Sequence, residues 1–89
     1  MREFVIDLTA ARDRAGFAAA FNAGFCHSVG GHWFGESWDA FDDYLAWPKE
    51  PAFRLVFLGW RDGACLASHD RWILEQILSD HRNIEAIRT

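Results

Sequence analysis

The side chains able to do chemistry in this 89-residue sequence fall into three groups. The first is acidic. Glu36, Asp39, Asp42 and Asp43 stand close together, and Asp39 and Asp43 are four positions apart. Paired carboxylates can act as general acid and base, or they can hold fixed negative charge against a cationic partner. The second group is Cys26, His27, His32, Cys65 and His69, all ligand types for zinc. Their spacings do not make the paired set, C-x2-C with H-x3-5-H, of a zinc site, so each reads as a loop or packing residue. The third is Ser68-His69-Asp70, which has the residue types of a nucleophilic triad. Three contiguous side chains diverge, and Ser68 reads better as a helix cap.

The acids need an element to hold them. Gly30-Gly31 and Gly35 interrupt the chain ahead of them. Ser37 can then cap a helix, its hydroxyl accepting from the free N–H groups of the first turn. Trp38, Phe41 and Leu45 recur at i, i+3 and i+7 as one apolar stripe. Asp39 and Asp43 share a face, turned roughly 150° from that stripe at about 100° per residue; Asp42 flanks the stripe. The sequence thus predicts a helix over about 38–46, anchored by one side and acidic on the other. A convex helix face is a poor place for acid–base catalysis. Asp39 also meets the positive end of the helix dipole. Asp43 lies one turn further in and opposes Asp39, so it has no stabilising role of its own. Trp33 and Phe34 precede this helix, either buried under the loop or laid flat on a partner.

The charge is as local as the motif. Glu36 to Glu50 holds five acids and one base, a net of −4, and the whole chain is also −4, from 13 acids and 9 bases. The eight acids and eight bases elsewhere cancel. A net acidic chain without a basic patch argues against nucleic-acid binding and for a basic protein partner.

A short chain with 51% hydrophobic and 16% aromatic residues can build a core without staples. Two cysteines are too few for a disulfide framework, so a monomer independent of disulfides is expected. Met1-Arg2-Glu3 carries an acid where an export signal has bases, and no run approaches the length of a membrane span. The expectation is a cytoplasmic protein with reduced thiols and no membrane partner.

Around the motif, Phe4–Leu8 reads as a strand buried by a nearly continuous apolar run. Asp13 reads as the cap of a helix over 14–23, with Gly24 as a left-handed C-terminal cap. Residues 25–32 read as a loop, and Trp47-Pro48 ends the motif helix. Phe53–Leu58 is the second strand, and Arg61-Asp62-Gly63 a turn. A last helix runs from Ser68 through Arg82, facing inward with Trp72, Ile73, Ile77 and His81, or with Leu74 and Leu78. Trp38, Trp60 and Trp72 read as core. Residues 83–88 form a third strand, which β–α–β order requires. The result is one α/β domain over 1–89, β-α-α-β-α-β, with a three-stranded parallel sheet and three to four helices.

The string Phe34-Gly35-Glu36-Ser37-Trp38-Asp39-Ala40-Phe41-Asp42-Asp43-Tyr44-Leu45 resembles the central motif of the barstar family of ribonuclease inhibitors. That motif runs aromatic-Gly-x-Asn-aromatic/Leu-Asp-Ala-Leu-x-Asp-x-Leu. Gly35, Asp39, Ala40, Asp43 and Leu45 fall in register. Ser37 stands where the family has Asn, Asp42 replaces an apolar or aromatic residue, and Trp33 and Phe34 stand where the founding member has tyrosines. The resemblance implies a small parallel α/β fold, no catalysis and no cofactor. It implies that acids of the helix and the loop before it plug the basic active site of a secreted microbial ribonuclease. On that basis Trp33, Phe34, Gly35, Ser37, Asp39, Asp42 and Asp43 form the expected partner surface, with Asp70 adding a peripheral acid. The alternative is an acidic binding module of the same fold whose basic partner is not a ribonuclease.

Overall fold

The computed structural model describes residues 1–60 and 65–89. Its elements run β1 (Arg2–Asp7), α1 (Arg14–Gly24), a 3-10 helix (Cys26–Val29), α2 (Trp38–Tyr44), β2 (Phe53–Leu58), α3 (Ser68–Asp80) and β3 (Ile84–Arg88). The expected turn at Arg61-Asp62-Gly63 lies outside the described residues.

The three strands pair in parallel in the order β1-β2-β3. Two right-handed crossovers that each step one strand the same way pass over the same face of a sheet. The strands therefore alternate: Phe4, Ile6, Phe53, Leu55, Phe57 and Ile84 are buried beneath the helices, because successive side chains point to opposite faces. The burial expected of the apolar run in β1 is found on one face only. Val5 is 43% exposed, on the face that no helix crosses. There Arg54 bridges Glu3 and Glu85, 3.3 Å from each, across the three strands.

The core between helices and sheet is aromatic. Phe17, Phe21, Phe25, Trp33, Phe41, Phe53 and Phe57 are fully buried. Phe21 and Phe41 join α1 to α2, with ring centroids 4.3 Å apart. Each such side chain contributes about 1.5–3 kcal/mol by leaving water.

The caps explain most helix boundaries. Asp13 accepts from the Gly16 N–H at 2.8 Å and starts α1 where expected. Gly24, expected as a left-handed cap, is the last helical residue instead. A Cβ there would lie 2.0 Å from the Val5 carbonyl oxygen, so glycine is needed to let α1 approach the β1 backbone. Ser68 does not cap α3: Ala67 holds that position without a side-chain bond, and Ser68 is the first helical residue. The helix ends at Asp80, short of Arg82, with His81 at its C-cap.

Leu74 and Leu78 form the inward stripe of α3, with Ile73 and Ile77 partly buried beside them. Trp72 is 61% exposed rather than core, because it lies two residues, about 200°, from Leu74 on the helical wheel. Among the described residues no helix is long and apolar enough to cross a membrane.

Candidate functional site

The site is built from α1 outward. Asn22 is the buried polar residue on the inward face of α1, only 4% exposed. Its amide makes two hydrogen bonds to the backbone of Trp33: Trp33 N–H donates to Oδ1 at 2.6 Å, and Nδ2 donates to the Trp33 carbonyl at 2.7 Å. With its backbone held so, Trp33 turns its indole into the core, 0% exposed, against Phe17, Phe21, Trp38 and Phe41. The indole N–H then donates to the Ser37 carbonyl at 2.9 Å.

The next residue points the other way. Phe34 is 79% exposed, the largest exposure among the described phenylalanine and tryptophan side chains. Gly35, at φ 78°, turns the chain in the left-handed region that glycine enters without strain. Ser37 ends the loop and caps α2, its hydroxyl accepting from Ala40 N–H at 3.2 Å.

From that cap, Trp38, Phe41 and Leu45 go into the core. Asp39 and Asp43 are exposed one turn apart, and among the described residues neither carboxylate has an ion-pair or hydrogen-bond partner. Asp42 differs: its carboxylate meets His81 Nε2 at 2.5 Å, tying α2 to the end of α3. Glu50 is also engaged, with Arg2 at 2.8 Å, and that bond holds its carboxyl below the usual carboxylate range. The acidity of the segment therefore reaches solvent unpaired mainly at Glu36, Asp39 and Asp43.

Beside the acids is an aromatic rim. His32 meets Phe34 edge to face at 4.7 Å. His27 Nε2 and His32 Nδ1 lie 3.0 Å apart, one donating to the other. Tyr44 O–H donates to the His32 carbonyl at 2.8 Å, and Trp47, 48% exposed, packs on the Tyr44 ring.

The structure thus brings Phe34, Gly35, Ser37, Asp39, Asp42 and Asp43 together on one loop and helix. It separates two other expected residues from the open surface. Trp33 is core. Asp70 has its Oδ1 engaged by Trp38 Nε1–H at 3.0 Å and by Arg14 at 3.4 Å, where it joins α3 to α2 and α1. The sequence reading missed Asn22, the His27–His32 pair and the Asp42–His81 pair. Asn22 left one signal, an amide adjacent to Phe21 on a helix face otherwise apolar.

The remaining chemistry-bearing residues do not converge. Ser68 and His69 are exposed while Asp70 is turned to Trp38. Among the described residues no group of three or more His, Cys, Asp or Glu is placed to hold a metal ion. Cys26 and Cys65 are free and buried. Burial pushes the Cys26 thiol from 9.0 up to about 11, against a smaller opposing effect of a backbone hydrogen bond from Trp33.

The model of one protein family, described as barstar (barnase inhibitor), matches residues 1–87. Neither a curated protein nor a solved structure matches the chain. Parallel β-α-α-β-α-β order, an acidic helix capped by Ser37 and a family match over nearly the whole length lead to one assignment: the chain belongs to the barstar family.

Proposed function

We propose that this protein is a stoichiometric inhibitor of a small basic microbial ribonuclease, not itself an enzyme. The observation that carries the reading is the pair Asp39 and Asp43. Both are exposed on a helix fixed in the core from its other side, and neither is paired among the described residues. A ribonuclease holds phosphate with cationic side chains. Two carboxylates on a rigid helix can stand in for that phosphate, Asp43 in the phosphate site and Asp39 against the loop beside it. Phe34, with its glycine turn, would cover the rim of the active site, where an exposed aromatic side chain adds buried area at little entropic cost. Trp33 and Ser37 would act from behind, by shaping the loop and the helix start, as would Asp70 through Trp38. Family membership supports the class of partner.

An inhibitor that protects the producing cell would work in the cytoplasm, where Cys26 and Cys65 stay reduced, and as a monomer. The experiment is titration of barnase activity on RNA with the purified chain. Loss of activity at one equivalent is expected. Full activity with barnase and with other guanyl-specific microbial ribonucleases would instead favour an acidic module for a different basic protein.

A further inference from the structure

We infer that Asn22 is a positioning residue for the partner-binding loop. Asn22 lies on the helix face that carries Phe17, Ala18 and Phe21 into the core. Burying an amide there is unfavourable unless both its halves are hydrogen-bonded. Both are, and both to one residue: Trp33 N–H to Oδ1 and Nδ2–H to the Trp33 carbonyl. An apolar side chain would fill the same space without a desolvation cost. The amide does what an apolar group cannot, taking the place of a neighbouring strand for a single loop residue.

The consequence reaches the surface through geometry. With its N–H and carbonyl both held, residue 33 is fixed in position and orientation. Its indole is committed inward, where the Nε1–H reaches the Ser37 carbonyl. The chain then has one way to continue: Phe34 outward, Gly35 through φ 78°, Ser37 onto the N-terminus of α2. A second loop contact, Tyr44 O–H to the His32 carbonyl, ties the loop to α2 itself and moves with it. The Asn22 amide ties it to α1. A loop fixed before the encounter loses less freedom on binding, which shows chiefly as slower dissociation.

The role in binding rests on the inhibitor reading; the fixing of the loop does not, and the test separates them. Asn22→Leu keeps a similar volume and removes both bonds. Asn22→Asp keeps the acceptor for Trp33 N–H and loses the donor. Native-state amide exchange on the free chain is compared with dissociation from barnase, at a temperature where circular dichroism shows each variant folded. In Asn22→Leu the amides of Trp33 and Ala40 are expected to exchange about tenfold faster or more, while those of Leu55 and Phe57 in β2 keep their protection. Asn22→Asp, which sets a buried carboxylate oxygen against the Trp33 carbonyl oxygen, should loosen the loop at least as much. Dissociation from barnase should quicken by about tenfold or more, with the salt dependence of association unchanged. Unchanged protection at Trp33 and Ala40 would overturn the inference. So would an equal loss in loop and β2 with unaltered dissociation, which would make Asn22 an ordinary core residue. If no form of the chain binds barnase, the inhibitor reading fails, and the exchange data alone decide whether Asn22 positions the loop.

Discussion

Asp43→Ala should weaken partner binding severely and make the free protein more stable. Three local effects act on the folded chain with the same sign. Asp39 lies at i−4, and a like-charge pair at that spacing costs about 0.2–0.5 kcal/mol. Asp43 belongs to the last turn of α2, since its carbonyl accepts from Leu45 and Ala46. A carboxylate at that negative end of the helix dipole costs about 0.3–1 kcal/mol. Alanine is also the better helix former, by up to about 0.7 kcal/mol. No intramolecular bond is lost in exchange, since the Asp43 side chain has no partner among the described residues. The free chain should therefore gain about 0.5–2 kcal/mol, and Tm should rise by about 2–16 °C for a domain of this size.

Binding should respond in the opposite direction. A partner that buries Asp43 must surround it with cations, and the substitution leaves them buried and unpaired. Truncating one half of such a pair costs about 2–5 kcal/mol or more, and the barnase–barstar complex is itself an established case in which close charge pairs are strongly coupled. The assays are calorimetric unfolding of the free protein and stopped-flow association and dissociation with barnase. Retained affinity would refute the placing of Asp43 at the centre of the interface. A fall in Tm would refute the argument that its charge has no structural role.

Three further outcomes follow from the same geometry. Trp33→Ala should cost about 3–5 kcal/mol of stability, whereas Phe34→Ala should leave unfolding within about 0.5 kcal/mol and weaken binding by more than about 1 kcal/mol; chemical denaturation and titration calorimetry on both variants check the contrast. Association with barnase should slow steeply as salt is raised, because Glu36, Asp39 and Asp43 steer the encounter; an on-rate flat in salt would mean that this face is merely solvated. Stability should fall as pH rises from about 9 to about 11, because the folded chain keeps the Cys26 proton that the unfolded chain releases. That loss is on the order of 2 kcal/mol, it is absent below the window, and denaturation curves of Cys26→Ala should show a shallower slope across it.

Features decided within one element could be read from the sequence. The β2 strand, Phe53–Leu58, was legible to the residue, because Pro51 and Gly59-Trp60 bound an apolar run whose every second side chain is buried. Asp13 and Ser37 were legible as caps because a cap is a contact with the next three residues. The apolar stripe of Trp38, Phe41 and Leu45 needed only the helical period. Features that depend on what packs alongside were not legible. Gly24 looks like any terminal glycine until the Val5 carbonyl is seen in the space its Cβ would fill. Trp33 and Phe34 are adjacent aromatics, and only Asn22, eleven residues away, decides which goes inward. Asp70 looks like a free acid of a first turn, but Trp38 and Arg14, on two other helices, engage it. β1 is buried on one face only for a topological reason, since a sheet in sequential order keeps its crossovers on one side.

The sorting of the acids is the strongest argument that the surface has a use. Five carboxylates occupy Glu36–Glu50. Glu50 lies against Arg2 and Asp42 against His81, both on other elements. The fold thus supplies partners within reach of this segment, a guanidinium for Glu50 and an imidazole for Asp42, yet Glu36, Asp39 and Asp43 have none among the described residues. Leaving Asp39 and Asp43 unpaired at i and i+4 weakens α2, and the helix holds because Trp38, Phe41 and Leu45 fasten its other side. Those three side chains contribute several kcal/mol by burial, against a repulsion of a few tenths. The core thereby keeps a like-charged pair in one fixed spacing that the helix alone would not favour. Beside it an exposed phenyl ring is held on a loop clamped from α1. A solvated face needs neither the fixed spacing nor the exposed ring, whereas a surface that must displace phosphate from a cationic cleft needs both.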